Sequence, residues 1–208
     1  MSQDQVDLFF QEVARHFQKP AEVILTGAMA GALMGHVRPS MDIDFEIRAG
    51  KKDDHEINAQ LEKIINETAK KLGIAVNYSE DIGHWSMISF LDYREHAILY
   101  KKIGSLKIKI MAPRYWTIGK MGRFLEIDIQ DMIKVIKRKK IKSENLIALW
   151  AKALRSSPLS PAKGRFRDNV VFFLKEHGKA IWGKNFNREE AIKRFHFYAG
   201  IKPGLYPL

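Results

Sequence analysis

The chain has 208 residues, of which 46% are hydrophobic, and it contains no cysteine. This composition excludes wholesale disorder, a disulfide-stapled secreted scaffold and a cysteine-ligated zinc site. No run approaches the ~20 apolar residues of a membrane span. The first residues also lack the order of a signal peptide, in which a basic stretch precedes an apolar one. We therefore expect a cytoplasmic protein that does not enter a membrane.

The charge is divided unevenly along the chain. The 35 Lys+Arg and 24 Asp+Glu residues give a formal net charge of +11 at pH 7. Residues 1–100 hold 10 basic and 16 acidic residues, a net of −6, whereas residues 101–208 hold 25 and 8, a net of +17. A basic half suits a polyanion and an acidic half suits cations such as metal ions. The alternative for the basic half is a solvated, lysine-rich helical surface.

Hydrophobic periodicity divides the chain into a mixed part and a helical part. In the mixed part we expect helices over 5–17, from Gly27 and over 53–72, and strands at 23–26, 41–47, 74–78, 84–91, 96–102 and 106–112. The last two strands are expected to form a hairpin through Gly104-Ser105. From Pro113 we expect helices over 117–140 with a break near 125–128, then over 144–154, 166–178 and 188–200, with a linker at 156–164.

This order predicts an α+β fold, with a mixed β-sheet flanked by helices and a C-terminal helical region. We expect three parts along the chain. Residues 1–112 form the α+β core, residues 113–155 a helical extension that packs on the core, and residues 156–208 a basic C-terminal helical region.

One stretch combines residues that suit phosphate and metal binding. Asp42 and Asp44 alternate with apolar residues in a predicted strand, so both point to the same face. Two carboxylates so close repel unless a cation or a proton lies between them, and their oxygens suit Mg²⁺. Gly27, at the end of a strand and the start of a helix, leaves room for a phosphate to approach backbone N–H groups. Taken alone, such a pair is also typical of an exposed edge strand. Together with the glycine turn and the helix, it predicts a pocket for a triphosphate and a metal.

The segment VILTGAMAGALMGHVRPSMDIDFEI, residues 23–47, resembles the nucleotidyltransferase superfamily, which includes DNA polymerase β and the minimal nucleotidyltransferases. The family pattern is an apolar strand ending in Gly-Gly or Gly-Ser, then a helix, Gly, Arg, Ser or Thr, and Asp-x-Asp. Here Gly27-Ala28 takes the place of the first pair. The resemblance implies that Asp42 and Asp44 bind two Mg²⁺ ions, with Mn²⁺ as a substitute, and that Gly27 and Ala28 cradle the β- and γ-phosphates of an NTP.

The resemblance also assigns roles to basic residues. Arg38 and Ser40 would contact phosphate or brace the turn. Residues 110–136 look like a segment of abortive-infection-type bacterial nucleotidyltransferases, in which a Lys and an Arg on a helix precede an Asp-x-x-Asp pair. Their places are taken by Lys120, Arg123, Asp128 and Asp131. The two cations would reach the triphosphate or nucleic acid, or else form a solvated basic stripe. The two acids are expected to cap the next helix or to pair with those cations.

The chain differs from the family pattern at the third carboxylate. Active members carry an Asp or Glu on a later strand, but the polar positions of LKIKIMA are Lys107 and Lys109. We expect Asp92, at the end of the predicted 84–91 strand, to complete the catalytic set, with Glu46 as the alternative. A lysine in that place would instead neutralise phosphate and leave a nucleotide-binding pseudoenzyme.

The expected activity is the metal-dependent transfer of an NMP from an NTP to an acceptor hydroxyl. We expect the acceptor to be RNA, such as tRNA, held by the basic C-terminal half. The resemblance to bacterial toxins also allows for an antitoxin protein as a partner. Transfer to a protein or to a small molecule is the alternative among enzymes. A catalytically degenerate nucleotide- or RNA-binding protein of the same fold, lacking the third carboxylate, is the alternative outside them.

Overall fold

The computed structural model describes residues 1–35, 38–50 and 55–202, and the chain forms two compact units. The sheet unit comprises Met1–Ile82 and Tyr93–Ala112, and the helical unit comprises Gly83–Asp92 and Pro113–Leu208. The predicted α+β class is confirmed, because a mixed five-stranded sheet is flanked by helices and followed by further helices. The segments 113–155 and 156–208, predicted as separate parts, belong to the same unit.

The sheet unit contains three α-helices and five strands among its described residues. The helices are α1 (Gln3–His16), α2 (Gly27–Leu33) and α3 (His55–Leu72). The strands are β1 (Ala21–Leu25), β2 (Asp42–Ala49), β3 (Ala75–Ser79), β4 (Ile98–Ile103) and β5 (Leu106–Ile110). Each lies where the sequence predicts it to within a few residues, although positions 53 and 54 of the predicted third helix fall outside the described residues.

The strands are ordered β3-β2-β1-β5-β4 across the sheet. β1 is antiparallel to β2 and parallel to β5, and β4 and β5 form the predicted antiparallel hairpin. β2 and β3 are parallel neighbours joined through α3. Such a strand–helix–strand connection places its two strands side by side in one sheet. β3 therefore supplies the residues that lie beside β2.

Burial of one sheet face determines which residues the other face presents. The aromatic rings of Phe9 and Phe10 on α1 pack against Phe45 of β2, with ring centroids 6.3 and 5.6 Å apart, and Phe45 stacks on Tyr78 of β3. Because side chains alternate along a strand, the buried Phe45 directs its neighbours on β2 to the opposite face. That opposite face carries Asp42, Asp44 and Glu46.

The strand predicted at residues 84–91 is wrong. The chain there forms a short 3-10 helix, Ile82–Trp85, followed by bends and turns. Two serines explain the difference, because the Ser86 hydroxyl accepts the N–H of Ile88 at 2.9 Å and the Ser89 hydroxyl accepts the N–H of Leu91 at 3.1 Å. Such local bonds offer the backbone an alternative to a sheet ladder.

The helical unit contains α4 (Pro113–Arg123), α5 (Glu126–Arg138), α6 (Ser143–Ser156), α7 (Pro161–Trp182) and α8 (Arg188–Ala199). The break predicted near 125–128 is present, since α4 ends at Arg123 and Phe124 adopts a positive φ of 55° before α5 begins. The linker is shorter than predicted, because α7 already begins at Pro161, where the Ser160 side chain caps it. Within the described ranges, no helix is long and apolar enough to cross a membrane.

Candidate metal- and nucleotide-binding site

Asp42 and Asp44 lie side by side on the polar face of β2, and both are partly buried. The Asn77 side-chain amide donates to Asp42 Oδ2 and to Asp44 Oδ1, at 3.0 Å in each case. The parallel register pairs Asn77 of β3 directly with Asp44. A neutral amide therefore holds the two carboxylates in place without removing their charge.

Gly27 lies directly against this pair. Its φ is +62°, and a Cβ built on it would come within 1.8 Å of Asp44 Oδ2. The N–H of Thr26, the preceding residue, donates to the carbonyl of Asp44 at 2.8 Å. Any side chain at position 27 would collide with the carboxylate, so glycine is required both for its backbone conformation and for its size. Ala28, the next residue of α2, is buried.

The structure gives Ser40 and Arg38 different environments. Ser40 is buried, and its hydroxyl donates to Asp42 Oδ1 at 3.1 Å. Its carbonyl accepts a hydrogen bond from the Met1 ammonium at 2.8 Å. Ser40 therefore braces the carboxylate, one of its two expected roles. The Nε atom of Arg38 is buried without a hydrogen-bond partner in the described part of the chain, so an oxygen acceptor brought by a ligand would satisfy it.

Glu46, the alternative third acid, belongs to a separate network. Its side chain is fully buried, and it accepts hydrogen bonds from the Tyr93 hydroxyl, from the Ile82 N–H at 3.2 Å and from Arg94 at 2.6 and 3.0 Å. The hydrogen bond to Glu46 raises the pKa of Arg94, while burial and then the Glu46 contact raise the pKa of Tyr93. Arg94 thus neutralises Glu46, which leaves this carboxylate a structural role.

Lys107 and Lys109 do not lie on a strand adjacent to β2. Their strand, β5, pairs with β1, and the Lys109 ammonium lies 2.7 Å from Glu22 of β1. The strand beside β2 is β3, and the residue that it places opposite Asp44 is Asn77. The pairing of β2 with β3 could be predicted from the sequence, because a strand, a helix and a second strand in succession predict parallel neighbours. Applied to 41–47 and 74–78, that rule would have brought Asn77 next to the two aspartates.

Asp92, expected as the third catalytic acid, lies in a turn of the helical unit rather than at the end of a strand. It accepts a hydrogen bond from the Tyr115 hydroxyl at 3.1 Å, and the Lys152 ammonium is 3.8 Å away. These contacts within the helical unit give Asp92 a fixed position there. Its catalytic role stays a prediction.

Asp128 and Asp131 pair with Lys120 and Arg123, which is one of the two roles expected for these acids. The buried Lys120 ammonium donates to Asp128 Oδ1 at 2.9 Å and to Asp131 Oδ2 at 3.0 Å. The guanidinium of Arg123 binds both oxygens of Asp128, at 2.7 and 2.6 Å. Burial alone would raise the pKa of Asp128, but the hydrogen bonds from Arg123 and Lys120 lower it below its ordinary value. Lys120 is enclosed, whereas the Arg123 side chain is 56% exposed and can still reach a ligand.

The donor set at Asp42 and Asp44 suits a hard cation. Within the ranges that the structure describes, no group of three or more His, Asp or Glu side chains converges on one point. Two carboxylates do, with the amide nitrogen of Asn77 between them. Oxygen ligands in this small number fit Mg²⁺, which keeps water or substrate phosphates for its other positions.

No family model, no curated protein and no solved structure matches the chain.

Proposed function

We propose that the protein is a metal-dependent nucleotidyltransferase that moves an NMP from an NTP to an acceptor hydroxyl. The observation that carries the proposal is the joint position of Asp42 and Asp44, which a neutral amide aligns on one strand face beside Gly27. A divalent cation relieves the repulsion between two such carboxylates better than any neutral group. The same residues carry the resemblance to nucleotidyltransferases.

In this proposal, Asp42 and Asp44 ligate Mg²⁺, and Gly27 lets the triphosphate approach the backbone. The Nε of Arg38, which lacks an acceptor among the described residues, binds a phosphate oxygen. Bound Mg²⁺ supplies charge neutralisation of the phosphates and activation of the acceptor hydroxyl. The acceptor oxygen forms a bond to the α-phosphorus, the bond to the β-phosphate oxygen breaks, and pyrophosphate leaves. The acceptor hydroxyl loses its proton to water, and a role of Asp92 as the general base stays a prediction.

RNA, with tRNA first to be tested, is the proposed acceptor. The +17 net charge of residues 101–208 supports this choice, because basic side chains neutralise phosphates and release counterions. A polybasic half disfavours a cationic small molecule as acceptor. A toxin-type role with an antitoxin protein as partner would follow from transfer to tRNA.

The test incubates the protein with each radiolabelled NTP, Mg²⁺ or Mn²⁺, and total RNA. The test variant is Asp42→Asn/Asp44→Asn. The matched control is Glu80→Gln/Glu95→Gln, which removes the same charge from exposed positions of the sheet unit. We expect label on RNA with the wild type and the control, and none with the test variant. Equal transfer by the test variant, or no transfer to RNA, to protein or to the chain itself by the wild type, would contradict the proposal.

A second candidate function is nucleotide binding without transfer. The observation that favours it is Asn77, a neutral amide within 3.0 Å of both aspartates, where a third carboxylate would complete a two-metal site. Equilibrium binding of Mg²⁺-ATP separates the two functions. Binding that depends on Asp42 and Asp44 but leads to no transfer would select this second candidate.

A further inference from the structure

A concave region lies within the helical unit, between α7 and α8. The cavity measures about 730 Å³, which is within the usual range for small-molecule sites. One face of α7 and the facing side of α8 form its walls, together with residues of the loop that joins them. It uses none of the residues of the candidate metal site.

The cavity wall carries more basic than acidic groups. Lys175, Lys179 and Arg188 line it, and within the described ranges none of the three has an ion pair. Arg167 also lines it but is bound to Asp168, with its Nη2 2.7 Å from Asp168 Oδ1. Glu189 is the other acid of the wall and is exposed. The wall therefore has basic side chains available to an anion.

Arg188 provides the strongest sign that the cavity takes a ligand. Its Nε atom is buried and has no hydrogen-bond partner among the described residues. A buried donor without an acceptor costs free energy that a ligand oxygen would recover. On the same wall, burial and then the charge of Arg167 lower the pKa of His196.

Most of the remaining wall is apolar or aromatic. The ring of Phe172 is 50% exposed although it lies on a helix face. The ring of Phe186 is held by Trp182, with centroids 4.9 Å apart, and by Gly178, where a Cβ would come within 2.1 Å of the ring. Glycine at position 178 thus allows Phe186 to lie close against α7. Two aromatic surfaces beside unpaired cations suit a ligand with a planar part and an anionic part.

We propose that this cavity binds a nucleoside phosphate, either free or as a nucleotide of an RNA strand. The phosphate accepts hydrogen bonds from Arg188 and the two lysines, and the base packs on Phe172 and Phe186. Bases stack on aromatic side chains with little regard to sequence, so the site would accept many nucleotides. This inference does not depend on the activity proposed for Asp42 and Asp44.

The test measures equilibrium binding of radiolabelled AMP and of a 5′-phosphorylated tetraribonucleotide, without metal, to the Asp42→Asn/Asp44→Asn protein. This background removes the candidate metal site, so failure here and failure of the proposed activity remain distinguishable. We expect Arg188→Gln and Phe172→Ala each to weaken binding about tenfold. Lys193→Gln, which removes a charge from an exposed α8 position that does not line the cavity, should weaken it less than about twofold.

AMP and the tetraribonucleotide distinguish the source of the ligand, and adenosine and tripolyphosphate test its two parts separately. Tight binding of AMP identifies a free nucleotide as the ligand, whereas binding of the tetraribonucleotide alone identifies RNA, and either supports the proposal. Adenosine and tripolyphosphate should each bind more weakly than AMP. Tripolyphosphate binding as tightly as AMP, an equal loss with Lys193→Gln, or no loss with Phe172→Ala would overturn it, because the basic surface alone would then explain the binding.

Discussion

Two pairs of aspartates in this protein are each bridged by one nitrogen atom, and the nature of that nitrogen separates them. In the sheet unit, the neutral amide of Asn77 donates to Asp42 and Asp44. In the helical unit, the ammonium of Lys120 donates to Asp128 and Asp131. The distances are nearly the same, between 2.9 and 3.0 Å. The two bridges differ in charge and not in geometry.

Burial explains why each pair has its bridge. Asp128 and Asp131 are almost fully buried, and buried carboxylates require cationic partners because desolvation is costly. Asp42 and Asp44 are only partly buried, so water can solvate them, and the amide that bridges them is neutral. The first arrangement stabilises a fold. In the second, the bridging amide adds no positive charge of its own, which suits a site for a cation.

Loss of the charged bridge should have the largest effect. Lys120→Met removes the ammonium while Asp128 and Asp131 stay buried, and we expect the free energy of unfolding to fall by about 3–5 kcal/mol. Urea unfolding followed by tryptophan fluorescence measures it, since Trp116 and Trp150 are buried in the same unit. Lys152→Met is the control, because its 3.8 Å pair with Asp92 is solvent-exposed and should contribute at most about 1 kcal/mol. An equal fall in the free energy of unfolding in Lys120→Met and Lys152→Met would mean that the buried bridge contributes no more than an exposed ion pair.

The neutral bridge predicts a stabilising effect of metal. Asp42→Asn/Asp44→Asn should change the stability of the metal-free protein little, because weaker hydrogen bonds from Ser40 and Asn77 oppose the relief of the like-charge repulsion. Mg²⁺ or Mn²⁺ at about 100 times its Kd should stabilise the wild type by about 2.7 kcal/mol and the double variant not at all. Thermal unfolding with and without metal and ATP measures the difference. A metal effect of the same size in the double variant would mean that the cation binds elsewhere.

Replacing the neutral amide of Asn77 by a carboxylate tests whether the charge of the bridging group controls metal binding. Asn77→Asp places a third carboxylate opposite Asp44, and adding a charged ligand tightens metal binding. We expect the Kd for Mn²⁺ to fall about tenfold and the metal-free protein to lose about 1 kcal/mol of stability. Calorimetric titration with Mn²⁺ checks the first value.

Ser79→Asp, two residues along the same face of β3 and opposite Glu46, is the matched control for Asn77→Asp. It adds the same charge to the strand at a distance from the pair, and we expect it to leave the Kd for Mn²⁺ nearly unchanged. A similar gain in both variants would assign the effect to net charge rather than to a third ligand.

Local patterns predicted the elements of the fold better than they predicted the partners of the site residues. The alternation in 41–47 was enough to place Asp42 and Asp44 on one face, because burial of Phe45 forces that arrangement. The strand predicted at 84–91 was wrong, because the bonds that Ser86 and Ser89 make to the backbone are not visible as periodicity. Asn77 was missed because its importance comes from strand order, which depends on non-local pairing.

The smallest predicted effect concerns the acid sensitivity of the charged pair. The pKa of Asp128 is lowered in the folded chain, where Arg123 and Lys120 outweigh the effect of burial. The unfolded chain therefore binds the proton more readily, so this part of the stability is present above about pH 4 and is lost as the pH falls through the folded pKa. Arg123→Gln removes an exposed partner and should bring the Asp128 pKa back toward its ordinary value, which moves acid unfolding to higher pH. Lys137→Gln, an exposed change of equal charge on α5, should not move it. Circular dichroism between about pH 2 and 6 follows both transitions, and a shift of equal size in the two variants would trace the acid sensitivity to net charge rather than to the bridge at Asp128.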